Sequence, residues 1–184
     1  MKKNLGFVFL FALVVTLATA VAAQQAQPQA APAVEISVKA EVLRQYDDAA
    51  GKIVRLAEKM PAESYSWRPM DGVRSLSELF MHMAAGCYGL GRAMGTPVPE
   101  GVNPREFEKI TAKDQVVAEL KKAVAHGRTA IESAELDKEV TFRRRPAAAR
   151  EVAMALAVHM HEHLGQSIAY ARSNKVVPPW SEGN

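Results

Sequence analysis

Apolar residues recur at spacings of three and four over four long stretches of the chain, and no stretch shows convincing period-two alternation. That pattern predicts helices rather than a sheet. The first helix is expected from about Ser37 to Met60, with Val42, Tyr46, Ala49, Ile53, Ala57 and Met60 on one buried stripe and Pro61 as its stop. The second begins near Ser75, where Ser75 and Glu78 have the S-x-x-E spacing of a capping box. It continues through Leu76, Leu79, Phe80 and Met83 to about Met94. Gly95, Pro97, Pro99, Gly101 and Pro104 then mark a long irregular crossing. A third helix is expected from near Thr111, with Asp114 as its capping signal and Val117, Leu120, Val124 and Ile131 as its apolar face. Glu135 to Pro146 reads as a loop. The fourth helix, from about Ala148 to Ser173, carries Val152, Leu156, Met160 and Leu164 and stops before Val176-Val177-Pro178-Pro179. Four amphipathic helices of these lengths can share one core, which predicts an all-α four-helix bundle.

The N-terminal residues do not belong to that pattern. Lys2 and Lys3 precede an apolar run from Leu5 to Leu17, and small residues follow through Ala23. The order basic, apolar, small is that of a secretory signal peptide, expected over residues 1–23. As a helix the run would rise only about 20 Å, short of a hydrocarbon core of roughly 30 Å, so no stable membrane anchor is expected. Residues 24–35, rich in Gln, Ala and Pro, read as a flexible leader, and the folded domain is expected over 36–180. The expected location is the periplasm or the outside of the cell.

Export changes the charge argument. The 184-residue chain has a formal net charge of +3, and loss of Lys2 and Lys3 leaves it at +1. A chain so near neutrality has no electrostatic footprint for nucleic acid. Its one basic cluster, Arg143-Arg144-Arg145, reads as a solvated loop before Pro146. Cys87 is the only cysteine, so it makes no internal disulfide and is expected to pack as a small hydrophobe.

Five histidines are the candidate chemistry: His82, His126, His159, His161 and His163. Residues four apart on a helix differ by only about 40° in direction, so His159 and His163 share a face, one turn apart. His161 lies about 200° from His159 and points away. Two histidines at this spacing either hold one cation or merely flank a helix surface. This is not the H-E-x-x-H motif of zinc proteases, because Leu164 and Gly165 follow His163. His82 sits mid-helix among apolar residues, either as a core histidine or as a third ligand brought opposite the fourth helix, as bundles do when they build metal sites. His126 lacks a partner at helical spacing and reads as a surface or packing residue.

The residues Trp67-Arg68-Pro69, Ser75-x-x-Glu78-Leu79-x-x-His82, His159-x-x-x-His163-Leu-Gly165-Gln166 and the closing Pro178-Pro179 together resemble the DinB-like family of metal-binding helical bundles, from about residue 40 to Pro179. The resemblance implies an up-down bundle, often a homodimer, with His82, His159 and His163 as metal ligands. Many members have a basic residue where this chain has Leu164, a departure at the pocket rim rather than at the ligands. Related members include thiol S-transferases and a maleylpyruvate isomerase, and a signal peptide argues against cytosolic thiol chemistry here.

Three neutral histidines leave a divalent metal, zinc or nickel by ligand type, with open positions of the kind catalytic sites keep. The function expected is a metal-dependent hydrolase or transferase acting on a small molecule, the metal serving as Lewis acid. The alternatives are a non-catalytic or stress-associated bundle stabilised by its metal, or an interaction module with incidental histidines. Two further polar residues are candidates for catalysis. Glu78 faces the side of His82 and is a cap, an acceptor for a histidine N–H, or a general base. Gln166, on the stripe of the two fourth-helix histidines, orients a bound water or fixes bundle register. Trp67 either plugs the connector or walls the pocket.

Overall fold

Ser37 opens the first helix, α1 (Val38–Lys59), by accepting a hydrogen bond from the Ala40 amide, in a computed structural model that describes residues 37–182. The expected signal peptide and leader lie outside the described residues. Every apolar residue of the expected α1 stripe is buried. The connector turns through a short 3-10 helix, Ala62–Ser66, pinned by the Tyr65 hydroxyl donating to the Ala57 carbonyl at 2.7 Å. The capping box then starts α2 (Leu76–Ala93): the Glu78 amide donates to Ser75 Oγ, and the Ser75 amide to Glu78 Oε2.

The next two elements differ from the sequence reading. The third helix, α3 (Lys113–Ser133), starts after Ala112 with no side-chain cap, and Asp114 lies inside its first turn, where it meets the positive end of the helix dipole. Its buried face is Val116, Leu120, Ala123, Gly127, Ala130 and Ile131, while Val117 and Val124 are only half-buried. Small residues carry this interface. Gly127 is the close-approach point, because a Cβ there would run into the Tyr46 hydroxyl and lie 3.1 Å from its ring. The segment expected as a loop instead holds a hairpin, β1 (Glu139–Phe142) antiparallel to β2 (Arg145–Ala148). Arg143 and Arg144 form its turn at φ 49° and 65°. Positive φ at both positions is the type I′ pattern, usually supplied by Asn and Gly, so this turn leaves no signal in an Arg-Arg pair. The fourth helix, α4 (Ala149–Ser173), buries Val152, Leu156, Met160 and Leu164 as expected.

Among the described residues, α1 packs chiefly against α3 and α4, and α2 against the same two helices. Lys39 near the start of α1 reaches the Glu132 carbonyl at the end of α3, and Lys113 at the start of α3 reaches the Glu58 carbonyl. Those two helices are therefore antiparallel. By contrast Tyr88 in α2 and Thr96 just past it meet Glu119 and Ser133, so α2 and α3 run the same way. The long crossing makes this possible. Its 3-10 turn, Pro104–Lys109, returns along α2, with Phe107 against Tyr88 and Glu108 paired with Arg74 at the α2 start. The bundle is thus a ring in which α1 and α2 each lie between α3 and α4, with α2 joined to α3 by that return. Its consequence for chemistry is that α2 and α4 lie side by side and antiparallel. Cys87 meets Met160, and Arg74 meets Tyr170. No described helix is long and apolar enough to cross a membrane.

Candidate metal centre

The antiparallel register of α2 and α4 sets His82 opposite the turn that carries His159 and His163. The ring centroids are 5.0 Å apart for His82 and His159, 4.9 Å for His82 and His163, and 4.6 Å for His159 and His163. All three pairs meet edge to face, at 66°, 88° and 85°. One nitrogen from each ring lies within 4.8 Å of the other two. Two nitrogens tetrahedrally placed at ~2.1 Å from one cation are about 3.4 Å apart. Side-chain adjustment on the order of 1 Å closes the three onto a single ion, a small movement for half-buried rings.

The rings are electrostatically suited to that role. Burial, aided by the neighbouring His163, His82 and Arg74, brings His159 from its ordinary 6.5 down to about 4. Burial and the Arg74 guanidinium also lower His82. Both rings are neutral at pH 7, with lone pairs free for a cation. His159 Nε2 is buried without a hydrogen-bond partner among the described residues, a costly arrangement for a polar atom unless a ligand repays it. The donor set and this orphaned ring fit a divalent metal. Gly86 makes room for the ring: a Cβ at that position would lie 2.9 Å from His159 Cδ2 and closer still to Nε2.

A chain of polar side chains backs the centre. His163 Nδ1 is 2.9 Å from Gln166 Oε1, Gln166 Nε2 donates to the Tyr170 hydroxyl at 3.2 Å, and that hydroxyl donates to the Arg74 carbonyl at 3.1 Å. Gln166 therefore touches a ring directly. Trp67, half-buried, stands edge-on against Tyr170 at 5.3 Å and packs the connector onto α4. Glu78 is placed differently. Its Oε2 holds the Ser75 amide at 2.7 Å and its Oε1 the Arg68 guanidinium at 3.1 Å. The Ser75 amide, with help from Arg68, holds its carboxyl below the usual range. Both oxygens are committed to the helix start, and no described hydrogen bond joins Glu78 to an imidazole.

The remaining candidates fall outside the centre. His161 is exposed and bonds the Gln45 carbonyl at 3.1 Å. His126 packs between Tyr88, at 4.7 Å, and Gly91. Cys87 is fully buried beside the Tyr46 hydroxyl and Met160, and burial pushes its thiol up to about 12. Gly86, Tyr170 and Arg74 were not anticipated as parts of the site. Only the helix register reveals them, because each acts through a neighbour distant in sequence. His159 also lines a groove of about 530 Å³ between α2, α4 and the hairpin, together with Leu90, Phe142, Met154 and Val158 and the charged Arg143, Glu151 and Glu162.

Solved structures share this architecture. A DinB-like protein from Bacillus cereus ATCC 10987 superposes with a TM-score of 0.66 at 17% identity, covering 75% of this chain and 93% of that one. A DinB-like protein from Bacillus subtilis gives 0.60 at 19% identity, covering 74% and 93%. A conserved protein from Enterococcus faecalis gives 0.58 at 15% identity, covering 74% and 96%. At such identities the likeness speaks for the fold alone. No curated protein matches the sequence. The family comparison reaches further, because the DinB superfamily model matches residues 45–167, more than half the chain and a span that contains all three clustered histidines. On that match the chain belongs to the DinB superfamily.

Proposed function

We propose that the protein is an exported, metal-dependent hydrolase or transferase that binds one divalent cation, zinc or nickel, through His82, His159 and His163 and acts on a small molecule. The observation that carries this reading is the meeting of three imidazole nitrogens from two helices within 4.8 Å. Three neutral nitrogen ligands leave coordination positions free, whereas structural zinc sites usually close with four protein ligands. A cation held there supplies Lewis acidity. The chain's own residues do the rest: the imidazoles hold the cation, and Gln166 steadies one of them. The half-buried rings and the groove lined by His159 favour a centre that a small molecule reaches over a sealed structural site. Apolar Leu90, Phe142, Met154 and Val158 beside charged Arg143, Glu151 and Glu162 suit a substrate with a hydrophobic body and a polar group.

The test is elemental analysis of protein purified without a histidine tag, wild type beside His159→Ala. The expected result is roughly one divalent metal per chain in the first and little in the second. Equal metal in both overturns the reading.

A further inference from the structure

We propose that Gln166 and Tyr170 are positioning residues that hold His163 as its Nδ1–H tautomer, so that Nε2 is the nitrogen this residue presents to the metal. The inference rests on the metal-centre reading above and adds to it the polarity of the hydrogen-bond chain behind the ring.

That polarity is fixed from its far end. The backbone carbonyl of Arg74 can only accept, so the Tyr170 hydroxyl, 3.1 Å away, must donate its single proton there. The hydroxyl oxygen is then left to accept, and the group 3.2 Å from it must be the amide nitrogen of Gln166. With the nitrogen on that side, the amide oxygen faces His163 Nδ1 at 2.9 Å. An amide oxygen accepts only, so Nδ1 carries the proton. A neutral imidazole has one proton, and the lone pair is therefore on Nε2. The start of α2 thus dictates, through two side chains of α4, which nitrogen of a third side chain is free for a cation.

The surroundings hold the chain still. Tyr170 is buried, with Trp67 edge-on to its ring at 5.3 Å. Ser167, also buried, donates to the His163 carbonyl at 2.7 Å and fixes the backbone under the ring. Without the amide oxygen of Gln166, His163 would sample both tautomers and more ring orientations. Even tautomer populations alone weaken apparent affinity only about twofold. Loss of ring orientation supplies more, and residues that orient metal-binding histidines are typically worth 10–100-fold in affinity.

The experiment pairs two readouts on the full chain, with folding of each variant checked by circular dichroism. Nitrogen-15 NMR of the metal-free protein reads the His163 tautomer, and chelator competition measures zinc affinity. Wild type is expected to show protonated Nδ1, and Gln166→Met to show a mixture with affinity lower by 10–100-fold. Gln166→Glu keeps an acceptor for Nδ1–H while losing the donor to Tyr170, and is expected to retain the tautomer, which a merely structural glutamine would not predict. Tyr170→Phe is expected to weaken zinc binding in the wild-type background and to add nothing in Gln166→Met, because it acts through the glutamine. Protonated Nε2 in metal-free wild type, or unchanged affinity in Gln166→Met, overturns the proposal while leaving the metal centre standing. Failure of wild type to take up zinc, nickel or any other divalent ion sinks the metal reading itself, and this proposal with it.

Discussion

Replacing Gly86 with alanine probes the centre from its scaffold, without touching a ligand. Gly86 lies inside α2, where alanine is intrinsically favoured over glycine by about 1 kcal/mol. The new methyl would sit 2.9 Å from His159 Cδ2 and closer still to Nε2. Atoms at that range must separate, and the imidazole would have to retreat on the order of 1 Å to regain ordinary contact distances. Overpacking of this kind costs about 1–3 kcal/mol, so gain and cost nearly offset in the metal-free protein. Metal binding has no such compensation. A metal–ligand distance is held to within about 0.2 Å, and the added methyl restricts the ring adjustment that closing onto an ion requires of His159.

The expected outcome is therefore split. The urea midpoint of metal-free Gly86→Ala stays near wild type or falls modestly, while zinc affinity by chelator competition drops at least about tenfold, or 1.4 kcal/mol. Gly89 provides the control, because it lies one turn further along α2 with nothing within 4 Å of a Cβ built there. Gly89→Ala should gain up to about 1 kcal/mol of stability with zinc affinity unchanged. Wild-type zinc affinity in Gly86→Ala would refute the placement of His159 in the centre. A loss of equal size in Gly89→Ala would show that any stiffening of α2 has the same effect.

Two further outcomes concern stability alone. The unfolded His159 titrates near 6.5 and the folded one near 4, so between those values the unfolded chain binds more protons. The metal-free protein should be fully stabilised above pH 6.5 and lose stability as pH falls, by about 2 kcal/mol between pH 7 and pH 5 from this residue. His82, lowered in the same direction, adds to the slope. Urea titrations at both pH values measure it, and an equal slope in His159→Ala would reject the assignment. In the hairpin, Arg143→Asn with Arg144→Gly relieves two positive-φ residues and should raise stability by about 1–2 kcal/mol without altering zinc affinity. A lower urea midpoint would argue that the stacking of Arg143 on Phe142, at 5.0 Å, outweighs the backbone strain.

What the sequence made legible follows from which residues carried the information. In α1 and α4 large apolar side chains mark the buried face, so Tyr46, Ile53, Leu156 and Met160 fall where periodicity puts them. In α3 the face rests on Ala123, Gly127 and Ala130. Their burial admits a neighbour's bulk rather than contributing their own, so the larger Val117 and Val124 drew the predicted stripe off its true line. The four-residue strands of the hairpin are too short to establish alternation, and their turn lacks the residues its backbone favours.

The clustering of the three histidines was readable because one helical turn separates His159 from His163 and bundle packing brings His82 opposite them. The role of Gln166 was not readable, though its position was. Helical spacing places its side chain beside His163, but not which end of the amide faces the ring. That choice descends from the Arg74 carbonyl, 96 residues before Tyr170, in the irregular segment just before α2, where the oxygen accepts from α4. The spacing of His159 and His163 is thus local and periodic, while their meeting with His82 and the hydrogen bonds behind His163 depend on long-range register. The same logic explains Gly86, which has no chemistry of its own and matters only because α4 brings His159 against it.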